Sequence, residues 1–214
     1  MPPGGHPVAN EAARALADAS GVVFAGARID ALVRCEGVVL TTREPLLTLF
    51  GVAQVRRALR AGKLDVAHVV FAPPSKRAIL LGLARLENRG AEPLAVEYTE
   101  TWDVAAGDWR VAPAACERRF AGHVFALAEA SDATRARAPE AAPSRGLALD
   151  VTLAVPPRAR RHLAFAYVAL PVEEAPGELV RAWRGEVARA LEAIGASRLG
   201  VAAYRALGRY PAPA

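Results

Sequence analysis

A chain of 214 residues with 53% hydrophobic content can bury a substantial core, which excludes a chain disordered throughout. The formal charge of +5 is carried almost wholly by Arg dispersed along the sequence, without the basic stripe and interleaved aromatics of a nucleic-acid footprint, so no nucleic-acid partner is expected. The longest apolar run, residues 163–172, falls far short of the about 20 residues of a spanning helix, so no membrane partner is expected either.

In chain order, residues 1–20 read as a flexible, Pro/Gly-containing segment with a short helix over 11–19, for which Asn10 is the N-cap and Gly21 the stop. They carry no basic run leading into an uninterrupted apolar stretch, so the expected location is cytoplasmic. From Gly21 the texture changes to short apolar segments at 22–24, 29–33, 38–42 and 46–50, punctuated by Gly26, Gly37, Pro45 and Gly51. Strands this closely spaced leave no room for intervening helices and predict an all-β sandwich.

Residues 52–61 fit a helical face through Val52, Val55 and Leu59, but their β-branched content favours a strand. A strand at 66–71 is closed by Pro73 and Pro74. Residues 77–104 then organise the chain. Leu94, Val96, Tyr98, Trp102 and Val104 share one parity, and Glu97, Thr99, Thr101 and Asp103 the other; Asn88, Gly90 and Pro93 supply a turn, predicting a long antiparallel hairpin.

Further strands are expected at 108–111 and 120–127, followed by a long surface loop at 131–146, which has no large apolar residue. Leu147, Leu149, Val151, Leu153 and Val155 alternate strictly, residues 156–161 turn the chain, and Leu163, Phe165 and Tyr167 return, predicting a second hairpin. The sandwich therefore spans 21–172. In 173–214, a linker-like helix and tail, Val180, Trp183, Val187, Leu191 and Ile194 recur at steps of three and four. Acidic residues precede that stripe, Arg189 lies late in it and Gly195 follows it, so an amphipathic helix is expected over 176–194.

Glu100 alone breaks the apolar parity of its strand, which makes it an inward carboxylate. It is either a tuned acid or, as the sequence favours, a carboxylate satisfied by Arg or backbone N–H groups near the sheet end. An acid/base pair on a sandwich would need Glu100 and a histidine, His68 or His123, meeting in an open cleft. Without local motifs around them, His68, His123 and His162 read as hydrogen-bonded structural residues. Trp102 and Trp183 are explained by strand parity and helix stripe, which leaves Trp109 as the candidate carbohydrate contact. No metal-ligand spacing or phosphate loop is present, so no metal or cofactor is expected. Cys35 and Cys116 read as free buried thiols.

The order of features from Val55 to Val104, with Val69–Pro73, Leu86–Asn88, Pro93, and Tyr98, Glu100 and Trp102, resembles the N-terminal β-sandwich of inverting glycoside phosphorylases of the cellobiose and chitobiose type and of cyclic glucan synthases. RRFAGH at 118–123 and the stretch 149–170 continue the likeness. The resemblance implies a mainly β, galactose-mutarotase-like supersandwich of antiparallel strands with a C-terminal amphipathic helix. In that family the helix leads into a catalytic barrel of paired helices, which holds the general acid and the phosphate site.

No catalytic residue carries over to this chain. The resemblance thus implies a non-catalytic accessory module acting in assembly or carbohydrate binding. Its expected partners are an oligosaccharide, and a helical-barrel protein or a second copy bound through Val180, Trp183, Val187 and Leu191. The alternatives are a mutarotase-like epimerase using Glu100 with a histidine, and a purely structural interaction protein.

Overall fold

The computed structural model describes residues 5–172 apart from 10, 19–20, 52–53, 73–77, 113–114 and 130–135. The amphipathic helix expected over 176–194, with Val180, Trp183, Val187 and Leu191, lies outside the described residues.

Among the described residues, fifteen strands, numbered in chain order, form two antiparallel sheets that pack face to face as a β-sandwich. The seven-stranded sheet is built from β1 (His6–Ala9), β2 (Arg14–Asp18), β3 (Gly21–Phe24), β4 (Ala27–Cys35), β5 (Val38–Thr41), β10 (Leu94–Trp102) and β14 (Leu147–Val155). The order is β1-β2-β3-β4-β10-β14, with β5 also paired to β4. The eight-stranded sheet contains β6 (Leu47–Gly51), β7 (Gln54–Ala61), β8 (Leu64–Phe71), β9 (Ile79–Asn88), β11 (Asp108–Ala112), β12 (Ala115–Phe120), β13 (His123–Glu129) and β15 (Arg160–Pro171). Its order is β11-β12-β13-β15-β9-β8-β7-β6.

The core lies between the sheets. Leu94, Val96, Tyr98, Glu100 and Trp102 of β10 point into it, as their parity predicts. Trp102 stacks on Phe24 at 5.3 Å between centroids and donates its indole N–H to the Phe24 carbonyl at 3.3 Å. Its edges meet Phe125 and Tyr167, one from each of two strands of the facing sheet. Cys35 and Cys116 are free and buried.

The two long predicted hairpins are not hairpins. β9 and β10 lie in different sheets, as do β14 and β15. Each connection is an arch that carries the chain across the core, so the inward rows of the two strands face each other instead of lying side by side. β10 pairs with β4 and β14, and β9 with β8 and β15. Alternation records which side chains are buried but not which strand lies alongside, so both arrangements share one sequence pattern.

Asn88 ties the two arches together. Its amide donates to the carbonyls of Glu92 and Val155 at 2.7 and 3.0 Å, its side-chain oxygen accepts from the Gly90 N–H, and its own N–H donates to the Ala159 carbonyl. True hairpins occur where two residues with positive φ join the strands: Glu36–Gly37 between β4 and β5, Ala121–Gly122 between β12 and β13, and Ala25–Gly26 between β3 and β4. This is the twist-matched turn of tight hairpins. The second divides the single strand expected over 120–127.

The helix expected over 11–19 is strand β2. Ala15 and Ala17 are buried while Arg14, Leu16 and Asp18 are exposed, a period of two. Alanine favours helix in isolation, but pairing with β1 on one side and β3 on the other overrides that preference. The sheet therefore begins before Gly21. The described end of the 131–146 loop is held to the sandwich: Arg137 bridges to Asp150, and Arg118 donates to the carbonyls of Gly107, Pro143 and Gly146.

Candidate functional site

Glu100 lies toward the C-terminal end of β10, two residues before Trp102, and its side chain enters the core at 0% exposure. Three donors converge on it. Tyr98, two residues earlier on the same strand face, gives its hydroxyl to Oε2 at 2.5 Å; Tyr167 of β15 and His68 Nε2 of β8, the latter at 3.1 Å, reach Oε1 from the opposite sheet. Tyr167 has room because residue 82 on the adjacent β9 is glycine; a Cβ there would stand 2.6 Å from the Tyr167 hydroxyl oxygen.

His68 is 1% exposed and sits opposite Arg57 in the β7–β8 register. Arg57 Nη2 lies 3.3 Å from His68 Nδ1. A guanidinium can only donate, so Nδ1 accepts and the ring proton sits on Nε2, from which it is donated to Glu100. Arg57 also donates to the Thr42 and Ile29 carbonyls, and its Nη1 lies 3.7 Å from Asp30 Oδ1. Asp30 accepts from Arg43 Nε at 2.8 Å, and Arg43 is solvent-exposed.

Arg43, Asp30, Arg57, His68, Glu100 and the two tyrosines thus form a polar chain from the surface to the middle of the core. It enters through a gap in the edge of β4, between the residues paired to β3 and those paired to β5. Thr42 fills that gap. Its N–H donates to the Ala31 carbonyl and its hydroxyl accepts from the Ala31 N–H at 2.8 Å.

The electrostatics follow from burial. Desolvation pulls the Arg57 guanidinium below its usual value, while the charges of Asp30 and Glu100 act to hold it up. Both phenols are pushed well above the ordinary tyrosine value, first by burial and then by the negative charge of Glu100. They therefore stay protonated as donors. Every member of the chain from Arg57 inward is sealed from solvent, so a substrate atom has no route to Glu100 in this conformation. What the arrangement does is satisfy a buried carboxylate from both sheets and fix their register.

Sequence reasoning placed Glu100 inward, and it is inward. It also named His68 and His123 as the histidines an acid/base pair could use; of the two, His68 is joined to Glu100, but in a closed core and not in an open cleft. The Arg or backbone N–H groups expected as its partners are replaced by two tyrosines and a histidine, with Arg57 one step removed. Arg57 was missed although its signal was legible: it shares parity with Val55, Leu59 and Ala61, so it breaks an apolar row just as Glu100 does.

The other candidates lie apart. His123 is exposed at the β12–β13 turn, where its Nδ1 is 3.1 Å from the Ala121 carbonyl oxygen. His162 is half-buried opposite Arg85; burial, and then the charges of Arg85 and Arg160, hold its imidazole below the usual value. Trp109 is half-buried against the core, with the Arg118 guanidinium over its ring at 5.2 Å. Among the described residues, no group of three or more His, Cys, Asp and Glu could hold a metal, and no helix is long and apolar enough to cross a membrane.

No family model matches the sequence, and no curated protein matches it. The fold does have counterparts among solved structures. A putative kojibiose phosphorylase from the human microbiome aligns over 86% of this chain and 32% of its own length, with a TM-score of 0.55 and 8% identity. A mutant of the heparan sulfate lyase HepC from Pedobacter heparinus aligns over 67% of this chain and 24% of its own, with a TM-score of 0.50 and 9% identity. The chain therefore spans a third or less of the length of these proteins, and what it shares with them is the β-sandwich fold.

Proposed function

We propose that this chain is a non-catalytic β-sandwich module of the carbohydrate-active enzyme type, related to the N-terminal sandwich of inverting glycoside phosphorylases. In this reading it acts in assembly with a helical-barrel catalytic protein or in holding an oligosaccharide. The observation that carries this reading is the closure of the core around Glu100. The carboxylate most suited to acid/base work has its lone pairs occupied by Tyr98, Tyr167 and His68 and is shut off from solvent. The likeness in fold to a putative kojibiose phosphorylase supports the carbohydrate context.

A second reading, a mutarotase-like sugar epimerase, rests on the His68–Glu100 hydrogen bond at 3.1 Å. A histidine donating to a carboxylate can exchange a proton with a sugar hydroxyl or ring oxygen, but only if the sugar reaches it.

Polarimetry with aldoses, and phosphate-release and sugar-release assays with α- and β-linked disaccharides, separate the two. The purified chain is expected to leave mutarotation at the spontaneous rate and to turn over none of the disaccharides. Turnover that disappears in Glu100→Gln, in a variant that remains folded by circular dichroism, overturns the non-catalytic reading. Oligosaccharide binding is read on an immobilised glycan panel, where loss of a signal in Trp109→Ala locates the contact and retention of it rejects Trp109.

A further inference from the structure

The eight-stranded sheet is apolar on both faces. Its inner face belongs to the core already described. The register places Val69 and Phe71 of β8, Leu81 and Leu83 of β9, and Val168 and Leu170 of β15 on the opposite face, side by side across adjacent strands. Small residues of β13 and β15 continue these rows, with Phe71 beside Leu81, Leu81 beside Ala166, and Ala166 beside Ala128. The six large side chains are only 2–8% exposed, and none of them belongs to the cluster between the sheets. Every named strand belongs to one of the two sheets, and the sheets meet through their other faces. A sheet face left open to water cannot bury a phenylalanine to 4%.

We propose that the C-terminal segment, residues 176–194, docks in cis on this outer face with Val180, Trp183, Val187 and Leu191 turned toward the sheet. Three observations select this occupant. The last strand, β15, leaves the sheet at Pro171, immediately after the outward-facing Val168 and Leu170, and the next residue, Val172, donates its N–H to the Gly122 carbonyl. The segment therefore starts at the apolar end of the face it would cover.

As a helix it would be about 28 Å long, enough to cross the roughly 19 Å between the axes of five adjacent strands at ordinary spacing. Its apolar stripe, at steps of three and four, matches a flat apolar surface, and the row of alanines provides the shallow floor that a Trp-bearing helix packs on. At the far end the face turns polar, with Asp65, Glu87 and Arg160 in one row and Arg85 and His162 in the next. Arg189 and Glu192 of the segment can meet that end by charge. The inference is independent of the proposed function: it assigns the stripe to the chain's own sandwich, whatever the sandwich serves.

The test is cross-linking in the full chain with Cys35 and Cys116 changed to Ala. Val187→Cys is combined in turn with Val69→Cys, Leu83→Cys and Val168→Cys, and as a control with Thr152→Cys on the exposed face of the other sheet. A short bismaleimide applied to dilute protein should give an intramolecular product, a fast-migrating monomer band, for at least one outer-face pair and not for the control. Cross-linked dimers, which would place the stripe on a second copy, or a lack of any cross-link in all three pairs, overturn the proposal. An independent reading comes from Val187→Asp with Leu191→Asp in the natural cysteine background. Binding of an anilinonaphthalene dye should rise several-fold while the β-type circular dichroism persists; unaltered dye binding overturns the proposal.

Discussion

At the scale of single residues, the most consequential choice in this sequence is a carboxylate in the core. Burying one is tolerated when donors occupy its lone pairs, and here two phenols and an imidazole do so from both sheets. Tyr98→Phe should cost about 1–3 kcal/mol at pH 7, the range for leaving a buried acceptor short of one donor, read as a lower urea midpoint at unchanged slope.

The same groups set the alkaline limit. The folded state holds the Tyr98 and Tyr167 protons more tightly than the unfolded chain does, so their contribution is complete below the ordinary value of about 10 and is lost as pH rises above it. Cys116, pushed up to about 12 from 9.0 by burial, adds to the loss with the same sign from pH 9 upward. Stability should be flat toward pH 9 and fall beyond it, less steeply in Tyr98→Phe. Equal slopes in the variant and the parent between pH 10 and 11 would show that this phenol does not set the limit.

At the scale of elements, what could be read from the sequence and what could not divide along one physical line. Most strands from 21 to 172 were legible because period-two burial is written residue by residue, and Glu100 was legible as a break in that period; β12, over Ala115–Phe120, was not expected. Partnership was not. A hairpin is specified by turn chemistry only when the turn is short and needs positive φ, as at Glu36–Gly37. The longer 89–93 connection, with Pro93 lacking an N–H, carries an arch equally well.

β2 was hidden because its row of alanines reads as helix in isolation and becomes strand only through its neighbours. Arg57 was passed over because residues 52–61 also fit a helical face, which weakened the parity with Val55, Leu59 and Ala61 that marks it. The element-scale consequence is testable at Asn88, which serves both arches at once. Asn88→Ala leaves the buried Val155 carbonyl and Gly90 N–H, and the part-buried Glu92 carbonyl, without their partner, and should destabilise the protein by about 2–3 kcal/mol in urea unfolding. Asn88→Asp, which keeps the acceptor for Gly90 but loses both donations, should recover little of it. A loss near zero would mean that the arches hold each other without the asparagine.

At the scale of the whole molecule, topology governs how the fold is reached. β10 lies inside the seven-stranded sheet between β4 and β14, and neither neighbour is joined to it by a turn. Glu100 pairs with Ala31 on one side and Leu149 on the other, and its polar partners His68 and Tyr167 come from still other parts of the chain. Local pairs such as β7–β8 and β12–β13 can form early. The seven-stranded sheet cannot close around β10 until long loops have been closed, an entropic cost met before the contacts reward it.

The chain should therefore refold on the millisecond-to-second scale of sandwiches, well slower than helical bundles of similar length. Stopped-flow recovery of Trp102 fluorescence after dilution from urea would measure this, with Trp109→Phe and Trp183→Phe removing the other two signals. Because Trp102 is held between Phe24 of its own sheet and Phe125 and Tyr167 of the other, its signal should appear only when the two sheets meet. It should then coincide with the main recovery of far-UV circular dichroism. Completion of the Trp102 signal within microseconds, ahead of the β signal, would place sheet-to-sheet packing before strand pairing and overturn this order of events.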